Sequence, residues 1–420
     1  MDDSRTKKIT IVGGGIIGCL VALQFQKKKY DVTIIEQKKN LGGILRDFQI
    51  ENDFFFKGCQ YLENDIKWID QLKSLIHEEF VNFKFNYASH NSFNKDILIK
   101  KNLAVPIFKL NDLTEEEFNF KYSEKETLYD RVLFYPKDIK KKLISFLKNC
   151  GINPKIIHSS CAENLQISRV NVDNFEKYII SLKEKNNFYD ERLAVPRNKI
   201  YPNDLCYSLP INGYSSLFDS IYKAFKKIGI KIELNTNVEP IWVNQKLSLK
   251  YKGKIFDDTF VFWSGNPTKL IFNYNKKKLN SHVFKTFQIS ANILTNNKEN
   301  FFLQNFSDRS KILRIQKYFS KNNDKIGIEF LSTVQTKNFI INEALEILKN
   351  LNLDIKILDS SLTKYVLPRF DIFTVFDQKI ISNFQNETYN SNLLFSPWLI
   401  YGRKNKIRHI DNFLNTKKFY

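Results

Sequence analysis

The sequence is poor in the residues that build metal centres and disulfide frameworks. It carries five cysteines and five histidines in 420 residues, all scattered, with no Cys-x-x-Cys pair. An odd, dispersed set of thiols suits a reducing cytosol, and neither a disulfide scaffold nor a metal site is expected. Cys19 reads as a small core residue. Acidic residues are also few, 45 against 65 lysines and arginines, which leaves a formal net charge of +20. Internal repeats and low-complexity linkers are lacking. No apolar run reaches the roughly 20 residues that a membrane-spanning helix needs. The longest uncharged stretch, Ile9 to Gln26, is broken by three consecutive glycines and again by Gly18. Those glycines, and the absence of a small-residue cleavage site behind them, exclude a signal peptide and a spanning helix. A cytoplasmic protein with no transmembrane segment is therefore expected. Aromatic residues are plentiful at 14%, which points to a packed globular chain rather than a disordered one.

The glycine-interrupted stretch has its own logic. "KITIV" is a short β-branched run of the kind buried in a parallel sheet. Gly13-x-Gly15-x-x-Gly18 then turns into "IIGCLVALQFQKK", a mostly apolar helix. Only glycine lets the backbone turn so tightly and approach a pyrophosphate, and Gly18 allows the helix to pack on the strand. The helix N-terminus offers free N–H groups and partial positive charge to phosphate. Glu36 ends the next strand, "DVTIIE", eighteen residues after Gly18. Its carboxylate can accept from both ribose hydroxyls and would repel a 2′-phosphate, so NADP is disfavoured. Strand, turn, helix, strand and terminal acid in this order specify a dinucleotide site.

The lysines lie in many short runs, such as 27–29, 140–142 and 276–278. Three meanings are open: a solvated, compositionally biased surface, attraction of an anionic substrate, or peripheral contact with an anionic membrane face. Nucleic acid is not an expected partner, because no basic helix, zinc-finger spacing or RNA-binding aromatic signature accompanies the charge.

A fold of α/β class, α+β overall, is expected. Residues 63–204 read as an insertion that interrupts the nucleotide-binding pattern. It contains "PKDIKKKLISFLKNCG", a helix with Ile139, Leu143 and Leu147 on one face and Gly151 at its end. From 205 the pattern is regular again. A helix over Ser215 to Ile228 leads to the strand "IKIELNT", a three-stranded meander follows, and "TFVFWSG" ends at a Gly-Asn-Pro turn. Residues 285–335 suggest an antiparallel sheet and "NEALEILKNLN" a helix. The tail is a strand, a Gly-Arg turn and a closing helix. The expected division is a discontinuous nucleotide-binding domain, 1–62, 205–270 and 385–420, and a substrate domain, 63–204 and 271–384.

Three patches carry a resemblance. The first is the opening unit with Glu36 and the pair Gly42-Gly43. The second is the series Gly213, Leu217, Ile221, Ala224, Gly229, Asn235, Thr236 and Val238. The third is Tyr401-Gly402-Arg403 before the last helix. Together they resemble the FAD-dependent flavoproteins that include amine oxidases, protoporphyrinogen oxidases and UDP-galactopyranose mutases, with a Rossmann-like FAD-binding domain and an inserted substrate domain. The resemblance implies an FAD site made of Gly13, Gly14, Gly15, Gly18, Glu36, Gly42, Gly43, Val238, Gly402, Arg403, Ile410 and Asp411. Val238 would hold adenine through its backbone, Arg403 the pyrophosphate, and Ile410-Asp411 would mark the helix start near the flavin. It implies an oxidoreductase that passes hydride from an anionic small molecule to flavin N5, or alternatively a mutase-like isomerase that uses reduced FAD on a nucleotide sugar. A flavin-binding protein without catalysis is a third reading.

Two departures bear on that choice. "KGCQYL" puts Gln60 where mutase-like members carry a flavin-facing histidine, and "YVLPRF" only loosely matches their tyrosine-proline motif. Gln60 is thus the candidate catalytic position, or a buried amide satisfied by backbone. Arg314, Tyr365 and Tyr401 are candidate substrate contacts. Arg314 has a surface salt bridge as its alternative, and Tyr365, Tyr401 and Trp398 have core packing.

Overall fold

The structure is a computed structural model of the chain. It describes residues 7–50, 53–58, 60–84, 86–93, 96–101, 104–118, 127–197, 206–257, 260–319, 323–331, 335–358, 363–394, 397–400 and 402–416. The chain forms two compact units. One comprises Met1–Val81, Ser208–Ser281 and Phe376–Tyr420, the other Asn82–Tyr207 and His282–Val375.

The first unit is built on a five-stranded parallel sheet. Strand β1 (Lys8–Val12), helix α1 (Ile16–Lys27) and strand β2 (Asp31–Ile35) open it. The spatial order is Lys231–Glu233, β2, β1, Phe260–Trp263, Leu393–Leu394. All four neighbouring pairs are parallel. A parallel sheet is covered on both faces, which is why β1 reads as a continuous apolar run. Ile9 and Ile11 are fully buried, and α1 buries Leu20, Val21, Leu23 and Phe25. The three-stranded antiparallel meander runs through Glu239–Val243, Lys246–Tyr251 and Lys254–Phe256.

The boundaries differ from the expected division. The segment 63–81 stays with the first unit because the amphipathic helix α2 (Lys67–Leu75) buries Trp68, Ile69 and Leu72, and Gln71 on it accepts a bond from Gln24 of α1. The helices Thr268–Asn275 and Val375–Glu387 lie across the second pair of expected boundaries. Tyr274 and Phe384 from these helices pack edge-on with Trp242 of the meander, centroids 4.9 to 5.9 Å apart. Such aromatic clusters hold their elements together.

The second unit contains an eight-stranded sheet. Its neighbours are antiparallel except for Asn86–Phe93 beside Phe301–Asn305. Alternation sorts the two faces. Ile289, Ala291, Leu303, Ile315 and Ile328 pack with the helix Lys337–Lys349 in one apolar core. The opposite face carries Thr286, Gln288, Ser290, Gln304, Gln316 and Glu329, all buried.

Candidate functional site

In doubly wound sheets ligands bind where the strand order reverses, outside the carboxyl ends of the strands. Here that point lies between β1 and Phe260–Trp263, whose last residues Val12 and Trp263 are in register. A cleft of about 500 Å³ opens there, floored by Gly13 and Gly15 and closed by Glu36, Gly43, Val238 and Trp263.

Each glycine of the turn has a distinct reason. Gly13 has φ +106°, a conformation that L side chains rarely adopt. A Cβ on Gly18 would lie 2.0 Å from the Gly13 carbonyl oxygen, so helix and turn touch backbone to backbone. A Cβ on Gly15 would meet nothing within 4 Å. It points into the open space that a phosphate would fill. Gly15 is the N-cap of α1, and no side chain caps that helix start, so its first amides remain for an anion.

Glu36, 6% exposed, organises the rim. Its Oε2 accepts from the Gly14 amide at 2.7 Å and its Oε1 from the Lys38 amide at 2.9 Å. An ionised carboxylate has further lone pairs for ribose hydroxyls. The Glu36 carbonyl accepts from the Thr236 amide at 3.0 Å, which brings the Thr236–Val238 loop to the cleft. Gly42 donates to the Gly14 carbonyl at 2.8 Å. Its missing Cβ makes room for the Phe218 ring, which would stand 2.7 Å from it. Beneath the turn Cys19 is fully buried, and burial with the nearby Glu36 charge holds its thiol far above the ordinary range. It is a core residue, not a nucleophile.

The cleft thus unites Gly13, Gly15, Glu36, Gly43 and Val238, with Gly14, Gly18 and Gly42 shaping it from behind. The other predicted positions stand elsewhere. Gln60, 7% exposed, donates to the Lys57 carbonyl at 2.7 Å, a buried amide satisfied by backbone. Arg403 donates to the Tyr61 carbonyl and to Glu63 at 2.9 Å. The closing helix runs over Arg403–Thr416, so Ile410 and Asp411 fall in its third turn rather than at its start. Their amides lie inside the helix, and Ile410 is buried. Gly402, φ +78°, supplies the turn before it. Arg314 and Tyr365 belong to the second unit. Arg314 is held by Gln304 at 2.9 Å and the Asn164 carbonyl at 3.2 Å, with Glu329 at 3.8 Å. Its side chain is 12% exposed. The Tyr365 hydroxyl meets Ser290 at 2.9 Å. Tyr401 lies outside the described residues. Trp398 is buried and donates to the Gly265 carbonyl.

Sequence reasoning did not single out Trp263 to Asn266 or Lys269, which line the cleft. Their signal was the strand "TFVFWSG", since the parallel partner of β1 must end beside the glycine turn. Among the described residues no group of three or more His, Cys, Asp or Glu could hold a metal ion, and no helix is long and apolar enough to cross a membrane.

With Arg403 paired to Glu63, its replacement should act on stability. Arg403→Ala is expected to lower the melting temperature, and Glu63→Gln to lower it similarly. Removing both should add little beyond either alone, since both report one interaction. Additive losses in thermal melts would show that the pair is not the relevant contact.

Comparison with known proteins agrees with this architecture. Residues 11–67 match the model of an NAD(P)-binding Rossmann-like domain. A 4-alpha-glucanotransferase of Clostridium butyricum is 30% identical over 91 residues, 22% of this chain, and the match spans only 17% of that protein. Among solved structures, reduced UDP-galactopyranose mutase superposes with a TM-score of 0.67 at 11% identity, covering 98% of this chain and 94% of that one. A protein of an Exiguobacterium species assigned as a protoporphyrinogen oxidase gives 0.57 at 13% identity, over 100% and 99% of the two chains. A fatty acid isomerase of P. acnes gives 0.54 at 10% identity, over 99% of each. The chain therefore has the fold these three proteins share, opening with a Rossmann-like nucleotide-binding unit.

Proposed function

We propose that the protein is an FAD-dependent oxidoreductase acting on a small polar molecule. The observation that carries this is the cleft at the end of β1, where Gly15 faces open space and Glu36 is held by two amides at the rim. That arrangement suits the pyrophosphate and ribose of a dinucleotide. FAD is favoured over NAD by the likeness of fold along 98% of the chain to the mutase. In the reading proposed here Gly15 and the start of α1 hold the pyrophosphate, Glu36 the ribose, and Val238 the adenine. When bound, the flavin supplies a hydride acceptor at N5.

The substrate is proposed to be polar because the second unit carries hydroxyls and amides on the sheet face opposite its apolar core. Ser290, Gln288 and Tyr365 form one hydrogen-bonded group, and Arg314 supplies a cation for an anionic substituent. The buried, reduced thiols of Cys19 and Cys150 are in keeping with a cytoplasmic setting.

A mutase-like isomerase working with reduced flavin is the second reading, favoured by the TM-score of 0.67. Redox state separates the two. An oxidoreductase mixed with its substrate without oxygen should bleach the visible absorbance of its oxidised flavin. An isomerase would be silent until reduced with dithionite and would keep its flavin reduced through turnover. We expect bleaching, because the sequence resemblance aligns Gln60 with the histidine of mutase-like proteins and an amide exchanges no proton near neutral pH. Dithionite-dependent isomerisation of a UDP-hexose would overturn this choice. Protein that gains no flavin absorbance with excess FAD would overturn the cofactor itself.

A further inference from the structure

We propose that Asp47 is a positioning residue of the nucleotide cleft. It caps the helix Gly213–Lys227 from outside that helix, and in doing so holds the rim segment Gly42–Arg46 against the glycine turn. The inference rests on the dinucleotide reading above and adds a residue that acts through the rim, since Asp47 does not itself line the cleft.

The helix Gly213–Lys227 has no cap of its own. Asn212 stands at its N-cap position without a side-chain bond, and its first turn carries no acidic residue. A capping side chain normally accepts from the second or third amide of a helix. Asp47, 168 residues away in the sequence, takes that place. Its Oδ1 accepts from the Ser215 amide at 3.2 Å and from the Ser215 hydroxyl. Gly213 makes the approach possible, because it has φ +82° and a Cβ on it would collide with Asp47 Oδ2. Asp47 is 6% exposed, and burial, only partly offset by Ser215, holds its carboxyl above the ordinary range. An asparagine oxygen would accept the same bonds without a charge to desolvate.

The segment next to Asp47 forms the rim of the cleft. Gly43 and Ile44 line it, and a Cβ on Gly43 would lie 3.5 Å from the Gly15 Cα. The Gly42 amide donates to the Gly14 carbonyl at 2.8 Å. The segment holds a single 3-10 turn, Gly43–Leu45, so its place is set by what it docks on. The Phe218 ring packs beneath Gly42, and Arg46 bonds Asp219 at 2.9 Å. Asp219 is 56% exposed, and such surface pairs contribute little. Asp47 is the buried polar anchor. A rim that is docked only part of the time weakens cofactor binding in proportion to the docked fraction.

Glu78 separates positioning from plain helix stabilisation. It meets the same helix start, at Asn212 and Ser216, both 3.1 Å, and at Ser220, 3.3 Å, but has no bond to the rim segment. The test measures FAD dissociation constants, thermal melts without FAD, and amide hydrogen exchange of residues 42–46 without FAD. Asp47→Ala and Glu78→Ala should both melt below wild type. Only Asp47→Ala should speed exchange in the rim and weaken FAD, by about five- to thirtyfold for a lost cap. Asp47→Asn should keep FAD affinity within about twofold of wild type, since the accepting oxygen remains. Should Asp47→Ala fail to fold, Ser215→Ala, which removes the hydroxyl but not the amide, carries the test with an expected loss of about two- to fivefold. Wild-type FAD affinity in Asp47→Ala, or in Ser215→Ala where that variant carries the test, would overturn the proposal. Equal weakening by Glu78→Ala would also overturn it, and so would an Asp47→Asn variant as weak as Asp47→Ala. All three outcomes leave the nucleotide site in place. Failure of wild type to bind FAD would overturn this proposal together with the dinucleotide reading.

Discussion

Gly15→Ala and Gly18→Ala, two substitutions three residues apart, are expected to fail in opposite ways. In Gly18→Ala the added methyl would stand 2.0 Å from the Gly13 carbonyl oxygen and 3.2 Å from its carbon. Both are backbone atoms of a turn pinned by the Gly13 amide to the Ile35 carbonyl at 2.8 Å, so no side chain can give way. Overpacking in a core commonly costs about 1–3 kcal/mol, occasionally more. A backbone clash this close belongs at or above the upper end. The variant should melt well below wild type or fail to fold. Gly15, by contrast, has φ −70° and ψ 174°, extended backbone that any residue adopts, with empty space where its Cβ would be. Its alanine variant should be within about 0.5 kcal/mol of wild type in stability. The methyl would nevertheless occupy the approach path of the phosphate. Losing one charge-assisted contact is worth roughly 1.5–3 kcal/mol, about ten- to hundredfold in FAD affinity. Thermal melts with and without FAD separate the effects. If Gly15→Ala retained flavin as wild type does, the pyrophosphate would not sit over this turn.

That contrast also shows what was legible before the fold was known. Gly13, Gly15, Gly18 and Glu36 announce themselves because the covalent geometry of the turn and the charge at the strand end are local properties. The strand ending at Trp263 could be recognised as a strand, but its place beside β1 depends on a pairing more than two hundred residues distant. Trp263 and Lys269 therefore stayed hidden, although they line the same cleft. The closing helix illustrates the opposite error. A spacing carried over from related sequences put its start near Ile410, whereas the chain turns at Gly402, φ +78°, and becomes helical at Arg403. Arg403 then meets Glu63, a partner no local pattern could reveal. The compact units have other bounds than the division expected from the sequence, for a similar reason. Lys67–Leu75 falls after the apparent break in the pattern, and only the fold shows its helix packed beside α1.

Glu329→Ala is expected to destabilise the second unit. Glu329 is 3% exposed. Its Oε1 accepts from the Thr286 hydroxyl at 2.7 Å, and its Oε2 lies 3.8 Å from the Arg314 guanidinium. Arg314 is itself only 12% exposed and also bonds Gln304 and the Asn164 carbonyl. Removing the carboxylate takes a nearby opposite charge from a largely buried guanidinium. Breaking a buried pair from one side typically costs about 3–5 kcal/mol, whereas replacing both partners with apolar residues of similar volume is often neutral. The 3.8 Å separation places the expected loss near the lower figure, and Glu329→Leu with Arg314→Met should recover most of it. Urea denaturation of the three proteins decides the matter. Wild-type stability in Glu329→Ala would mean that the pair contributes nothing. The double variant also separates structure from recognition. If Arg314 meets an anionic group of the substrate, the protein lacking both charges will be stable and will still bind FAD, but its KM will rise. If Arg314 only balances Glu329, stability and KM will recover together.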